Sequence, residues 1–393
     1  MPTQEMTDRL PIFAITAPGL EALCAAELRA LGIAAAAEPG GVAWEGDLDD
    51  LYRANLWLRT ASRVVVRAAT FRARTFIELE RHGKRVPWER WVTPGRRVRL
   101  RVTSKKSKLY HEGAIAERLL GFIDDRVGGI GAAQAAKGAE DEDVETGDEQ
   151  LFVVRVVRDE FTVSADSSGA LLHFRGYRQA VARAPLRETL AASMLLGAGW
   201  RGDSPLVDPM CGSGTLPIEA ALMARGIAPG LAAAAREPRP FAFTAWPGHD
   251  PEAWARVVAD ARETILPSSP VPLLGSDRDA GAIEAARANA ERAGVAADVG
   301  FDVRAVSAIE PPAGPGLLIA NPPYGVRVGE SDALRSLYAA LGKTARARAA
   351  GWTLALLSAD RKLEGQVGLP FDERFRTSNG GIPVRLVTVQ VPG

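Results

Sequence analysis

The stretch Leu206–Glu219, LVDPMCGSGTLPIE, constrains the fold more than any other part of the sequence. An apolar run ends in Asp208, a glycine-bearing loop follows, and a helix is expected from about Leu216. This order describes the binding turn of an open α/β sheet, where ligands sit beyond the carboxyl ends of the strands. Gly212 and Gly214 carry no Cβ, so backbone there can approach a ligand closely. The loop lacks the G-x-x-x-x-G-K-[ST] pattern of triphosphate hydrolysis, and it is not the G-x-G-x-x-G of dinucleotide sites. Asp208 at the strand tip is placed to receive an ammonium group. The competing reading is a tight strand–helix turn with no ligand.

Two later segments end in the same way. Leu273–Asp279 (LLGSDRD) runs into Asp277, whose carboxylate can accept both hydroxyls of a ribose, while Asp279 fits the N-cap of the next helix. Leu317–Gly325 (LLIANPPYG) runs into Asn321, Pro322, Pro323 and Tyr324. The prolines fix φ and remove two backbone donors, which leaves carbonyls and the Asn321 side chain as an acceptor-rich lip. Such a lip suits an amino group on an aromatic ring. Accepting its N–H bonds draws the nitrogen lone pair out of ring conjugation and makes it a better nucleophile toward a methyl sulfonium. Tyr324 offers a ring on which an unstacked base can lie, worth roughly 1–3 kcal/mol. The methionine part of S-adenosylmethionine presents an ammonium of the kind Asp208 could receive. Alone, the Asn-Pro-Pro-Tyr segment also reads as a proline-rich turn.

The surroundings of these motifs predict a doubly wound α/β domain. Strand cores are expected at Pro205–Val207, Leu273–Gly275, Leu317–Ala320 and Trp352–Leu357, with helices at Leu216–Arg225 and Ala280–Ala293. The stretch Gly226–Pro270 is long for one connection and carries Trp246 and Trp254, so it reads as an insertion with its own packing. Before it, the first seventy residues read strand (Pro11–Thr16), helix (Leu20–Leu31, stopped by Gly32), strand (Gly40–Glu45), helix (Leu48–Arg59), strand (Ser62–Phe71), a ferredoxin-like order. Next come an alternating strand at Arg96–Ser104, a helix over about Gly113–Phe122, an acidic loop at Gly138–Gln150, and a hairpin of Leu151–Val157 with Glu160–Ser164.

In the alternating strand Val98, Leu100 and Val102 face one way and Arg97, Arg99 and Arg101 the other, and Lys105, Lys106 and Lys108 follow. This is either a phosphate-binding face or a solvated strand face. Lys+Arg and Asp+Glu both total 48 in 393 residues, so any nucleic-acid surface has to be a local patch. Two cysteines, Cys24 and Cys211, exclude a disulfide framework and a Cys-rich zinc site, and the four histidines show no ligand spacing. No metal is expected. Cys211 reads as a small loop residue, the alternative being a nucleophile that lacks a nearby second cysteine. The polar N-terminus and the absence of an apolar run of about 18 residues predict a cytoplasmic protein without a membrane partner.

DPMCGSGT with NPPY resembles the amino-methyltransferases that act on adenine N6, guanine N2 or glutamine N5. PGLEALCAAELRALG, GGVAWEGD, NLWLRTASRV, SADSSGALLHFRGYR and APLRETLAA extend the resemblance over nearly the whole chain, to the THUMP-domain RNA guanine-N2 methyltransferases, large-subunit rRNA L type. The resemblance implies a ferredoxin-like domain at 1–70, a THUMP RNA-binding domain at 71–166 and a Rossmann-like methyltransferase domain at 167–393, without the second methyltransferase fused behind it in some bacteria. It implies S-adenosylmethionine as cofactor. Asp208, Pro209, Met210, Gly212, Ser213, Gly214 and Thr215 would form its loop. Asp277 and Arg278 would lie at the ribose, and Leu186 and Arg187 (within Ala184–Thr189) would lie against it. Asn321, Pro322 and Tyr324 would hold the guanine amine, Asn379 would border the base pocket, and Arg175 and Arg178 would lie near the substrate mouth. Where the family carries an Asp at the adenine amine, this chain has Ala305 followed by Val306, and Asp302 stands three residues earlier. The implied partner is 23S rRNA bound by a monomer. The alternatives are tRNA, a protein glutamine, and a non-enzymatic RNA-binding assembly factor with a degenerate cofactor site. Ala184-Pro185-Leu186, where the tRNA branch has a His-Pro-Ala type segment, favours rRNA.

Overall fold

The computed structural model describes residues 9–131, 134–135, 149–179, 186–324 and 331–393. Two sheets organise the chain. The N-terminal sheet is built from β1 (Leu10–Thr16), β2 (Ala36–Glu38), β3 (Gly41–Gly46), β4 (Ala61–Arg72), β5 (Arg97–Lys105), β6 (Gln134–Ala135), β7 (Glu149–Val157) and β8 (Glu160–Asp166). Their order is β2-β3-β1-β4-β8-β7-β5-β6. Helices α1 (Glu21–Ala30), α2 (Leu48–Trp57), α3 (Phe76–Gly83) and α4 (Glu112–Val127) accompany it. The strand–helix alternation of the first seventy residues is present, and Gly32 ends the turn after α1 at φ +77°. β4 is twelve residues long, and its two ends serve different neighbours. Ala61–Val66 pairs with β1, and Val65–Arg72 pairs with β8. One continuous sheet therefore joins the ferredoxin-like part to strands β5–β8. The β7–β8 hairpin turns at Arg158 and Asp159, both at positive φ, as a tight two-residue connection between twisted strands requires. Of the acidic stretch, positions 138–148 lie outside the described residues, and Glu149 and Gln150 open β7.

The second sheet follows α5 (Glu188–Gly197) and contains β9 (Leu206–Asp208), β10 (Leu273–Asp277), β11 (Val299–Val303), β12 (Leu317–Ala320), β13 (Thr353–Ser358), β14 (Asp372–Asn379) and β15 (Ile382–Gln390). The helices are α6 (Thr215–Ala224), α7 (Pro251–Glu263), α8 (Ala280–Arg292), α9 (Ser331–Arg348) and α10 (Arg361–Val367). The order is β11-β10-β9-β12-β13-β15-β14. From β11 to β13 the neighbours are parallel, and β15 and β14 are antiparallel additions. Every side chain of β9 and β12 is buried, as strands covered on both faces must be. The order reverses at β9, which lies between β10 and β12, so the crevice of the sheet opens at their carboxyl ends.

The long connection 226–270 does not pack only on itself. It contains α7, and its rings Phe243, His249 and Trp254 gather around Tyr52 of α2, with centroids 4.7, 5.6 and 5.6 Å from the Tyr52 ring. Tyr52 OH bonds His249 Nδ1 at 3.0 Å and accepts from the Asp250 N–H at 2.9 Å. Trp246 donates to Gln150 Oε1 at 2.7 Å. The connection is thus a seam that fixes the N-terminal sheet to the second domain.

Candidate active site

Four parallel strands end on one rim, and each delivers a residue singled out by the sequence. Asp208 ends β9, Asp277 ends β10, Ala305 follows β11 by two residues, and Asn321 follows β12 directly. They line one cavity of roughly 1460 Å³, together with Leu186, Arg187, Pro209, Met210, Gly212, Ser213, Thr215, Arg278, Val306, Pro322, Tyr324 and Asn379. Gly214 is the exception. It stands at φ +85° at the head of α6, and a Cβ there would lie 2.9 Å from Ala286 Cβ, so this glycine serves the packing of α8 rather than a ligand. At Gly212, by contrast, a Cβ would meet open space, at φ +54°.

The loop after β9 is anchored to β10. The Cys211 N–H donates to Ser276 O at 2.9 Å and the Gly212 N–H to Asp277 Oδ2 at 3.1 Å, while Asn289 of α8 donates to Ser213 O at 3.0 Å. Asp277 Oδ1 also accepts from the Asp279 N–H at 3.0 Å. Asp279 caps α8 through the N–H groups of Gly281 and Ala282. Asp208 is 1 % exposed, and its Oδ1 accepts from the Met210 N–H at 3.0 Å. Burial pushes its carboxyl up to about 8, against the pull of that N–H and with a further push from Asp277. At neutral pH the group holds its proton until a cation arrives. An ammonium beside it would restore the carboxylate, which makes this a pocket for a positively charged ligand group.

Burial, followed by Asp208 and Asp277, holds the Cys211 thiol well above its ordinary value, and Sγ points to Gly212 O at 3.7 Å. This residue is a protonated thiol packed in the loop, with none of the thiolate character a nucleophile needs. At the end of the neighbouring strand β12 the Asn321 Oδ1 atom is buried without a hydrogen-bond partner among the described residues. An unmet buried acceptor costs about 1–3 kcal/mol, and an N–H donor entering the cavity would remove that cost. The Tyr324 hydroxyl accepts from Asn379 Nδ2 at 2.6 Å. Asp302 is exposed, faces Arg304 at 3.5 Å and is not among the cavity residues, so it does not replace the carboxylate missing at Ala305.

Several expectations require correction. Arg99 is 6 % exposed and pairs with Glu149 Oε1 at 3.0 Å, a carboxylate brought alongside by the neighbouring strand β7. It is not part of a phosphate-binding face. Arg97, Lys105, Lys106 and Lys108 are exposed, and Arg101 is half-buried. Arg175 is buried as well. It donates to Leu172 O at 2.6 Å and Arg59 O at 2.9 Å and lies 3.6 Å from Glu219. Arg175 and Tyr177, which donates to Glu219 Oε1 at 2.9 Å, strap the N-terminal part to α6. Only Arg178 of that segment reaches the cavity, paired with Glu188 at 3.1 Å. Ala184 and Pro185 lie outside the described residues. Sequence reasoning did not find His173, Phe174, Leu334, Leu337 and Ile382, which also line the cavity. His173 and Phe174 directly precede Arg175 and Ile382 follows Asn379 by three residues, while Leu334 and Leu337 come from α9. His173 is pushed down to about 3, by burial first and then by Arg178, Arg175, Arg239 and Arg63, so its imidazole is neutral.

Known proteins match both parts of the chain. Residues 175–388 match the family model described as "RMKL-like, methyltransferase domain", and residues 11–65 match the "RlmL ferredoxin-like domain". A Synechocystis protein, slr0064, described as a candidate RNA methyltransferase, is 36% identical over 97% of both chains. The ribosomal RNA large subunit methyltransferase K/L of Syntrophotalea carbinolica is 39% identical over 97% of this chain and 54% of that longer protein, so the chain spans about half of it. The structure of SMU.472, described as a candidate methyltransferase and crystallised with SAH, superposes with a TM-score of 0.85 at 30% identity, covering 99% of this chain and 100% of that one. The chain belongs to the RMKL-like family of S-adenosylmethionine-dependent methyltransferases and carries the RlmL-type ferredoxin-like domain ahead of its methyltransferase domain.

Proposed function

We propose that the protein methylates the exocyclic N2 amine of a guanine in structured RNA, with 23S rRNA as the substrate. The observation that carries this reading is the buried Asn321 Oδ1 at the end of β12, which has no donor among the described residues and shares a cavity with Asp208 and Asp277. A buried acceptor with no donor of its own fits a substrate that brings an N–H group. The K/L name of the Syntrophotalea relative supports rRNA as the target.

When bound, S-adenosylmethionine supplies an electrophilic methyl group. The residues present fit it. Asp208 would meet the ammonium, the Pro209–Thr215 loop would pass beneath it, and Asp277 with Arg278 would reach the ribose. Ala305 and Val306 would border the adenine, and Leu186 and Arg187 would close the outer side. Asn321 Oδ1 would accept one amine N–H and the carbonyls around Pro322 a second. Holding both protons in the plane of these acceptors turns the nitrogen lone pair out of the ring and toward the methyl. Tyr324 would border the base with its hydroxyl toward the base's edge. No side chain is assigned as base, since the alkylated nitrogen is acidic enough to pass its proton to water. Arg97, Arg101, Lys105, Lys106, Lys108 and Arg178 would contact phosphates, with 1–70 acting as the ferredoxin-like domain, 71–166 as a THUMP unit and 167–393 as the catalytic domain. We place the enzyme in the cytoplasm as a monomer.

The test is transfer of labelled methyl to unmodified 23S rRNA and to bulk tRNA in parallel, with nucleoside analysis of the product. Label in N2-methylguanosine of rRNA is expected. Label in tRNA alone would move the substrate to tRNA, and label in adenine or in protein would overturn the guanine assignment. Asn321→Ala should lose at least about a hundredfold in methyl transfer, the range of a positioned donor or acceptor, while keeping cofactor affinity.

A further inference from the structure

The hairpin of β14 and β15 ends in the cavity. Asn379, the last residue of β14, pairs across the strands with Ile382, the first of β15, and Gly380 and Gly381 between them turn at φ +55° and +80°. Two consecutive positive φ values make the narrowest hairpin connection, which holds Asn379 and Ile382 side by side at the tip. Asn379, Gly380 and Ile382 all line the cavity. Ile382 is 43% exposed, a large apolar side chain left open in the cavity wall. Asn379 Nδ2 lies 2.6 Å from the Tyr324 hydroxyl.

We propose that Asn379 and Tyr324 act as one recognition unit for the hydrogen-bonding edge of the target base, with Ile382 as its apolar flank. The numbers of donors and acceptors fix what this pair can offer. A hydroxyl has one proton and an amide has one oxygen and one NH2 group. When Nδ2 donates to the hydroxyl oxygen, the hydroxyl proton and Oδ1 remain to offer. With the amide turned over, the hydroxyl donates to the amide oxygen, and a hydroxyl lone pair and the NH2 remain. Either way the bonded pair presents a donor beside an acceptor, with a further amide N–H to spare. In the first arrangement the hydroxyl meets a carbonyl oxygen and Oδ1 meets a ring N–H, which is the adjacent O6 and N1–H of guanine. Removing either partner frees the other to rotate, so the two depend on each other. Burial pushes the Tyr324 hydroxyl upward even against the Asn379 bond, which keeps the proton available.

The inference rests on the base-methylating reading above and is tested by a double-mutant cycle. Asn379→Ala, Tyr324→Phe and the double variant are assayed for kcat/KM with unmodified rRNA, and for S-adenosylmethionine affinity by calorimetry. Each single change should lower kcat/KM at least tenfold, and the double should fall no more than about threefold below the worse single. Cofactor affinity should stay within twofold, which also reports folding. Ile382→Ala should raise KM for RNA and leave cofactor affinity unchanged. Losses that multiply in the double variant, an Asn379→Ala enzyme within twofold of wild type, or an equal loss of cofactor affinity would each overturn the unit. A wild-type protein that methylates no nucleic acid would overturn the underlying reading, and is recognised before any variant is made.

Discussion

Asp208→Asn should stabilise the cofactor-free protein and disable it at the same time. In the unfolded chain an aspartate ionises near 3.9, and each tenfold change in proton affinity is worth about 1.4 kcal/mol. In the fold, burial moves this carboxyl up to about 8. A carboxyl raised on folding gives full stability below its unfolded pKa and loses it as pH rises toward the folded one. Between pH 4 and 8 the unfolded chain has released its proton while the folded chain has not, so roughly 4 kcal/mol has gone by pH 7. Asparagine keeps the shape and the bond from the Met210 N–H without that titration. Its extra N–H group needs a partner and returns about 1–3 kcal/mol. The net gain is about 2 kcal/mol, or ~4–8 °C in Tm. S-adenosylmethionine affinity should fall about 10- to 100-fold, the worth of one charge-assisted hydrogen bond. Wild-type affinity should rise about tenfold per pH unit from pH 6 toward 8 as binding expels the proton, and the variant should lose this arm. Thermal unfolding across pH and calorimetry in buffers of different ionisation enthalpy measure both. A variant that is less stable than wild type at pH 7, or that binds cofactor within threefold, would refute this account of Asp208.

The basic surface and the buried arginine beside it should separate cleanly. Replacing Lys105, Lys106 and Lys108 by Ala should weaken RNA binding and lower the salt slope by about 2–3, measured by filter binding. Arg99→Ala should instead leave Glu149 unpaired and lower stability by about 3–5 kcal/mol in urea unfolding, with the salt slope unchanged. His173 is depressed to about 3, so its contribution is full above about 6.5 and is lost as pH falls toward 3. That loss reaches roughly 2 kcal/mol at pH 5. His173→Phe should flatten this part of the acid limb of a thermal-shift profile. Gly214→Val should destabilise by at least about 2 kcal/mol, through both the φ of +85° and the contact with Ala286, visible as a lower Tm without cofactor.

Much of the frame is legible because local signals and tertiary demands agree. The strands ending in Asp208, Asp277 and Asn321 read as apolar runs stopped by a polar residue, and the sheet uses them that way. Helix α3 is legible in principle, since Thr75 and Glu78 form a reciprocal capping box ahead of a one-sided helix, but eight residues are too few for periodicity to stand out. The arginines mislead. Strict alternation in β5 predicts an open basic face, yet a partner strand brings Glu149 to Arg99 and closes it. The Trp-bearing connection reads as a self-contained insertion because its partner, Tyr52, is nearly two hundred positions away.

The strand ends and the polar residues they carry are readable locally, because turns, caps and apolar periodicity act over a few neighbours. It took the packed fold to show that Ile382 and His173 share a cavity with them, that Arg99 and Arg175 are spent inside the fold, and that Asp208 lies where it keeps its proton. Those outcomes depend on burial and on partners from distant segments. Both are set by how the sheets pack, and neither is written in any local stretch of chain.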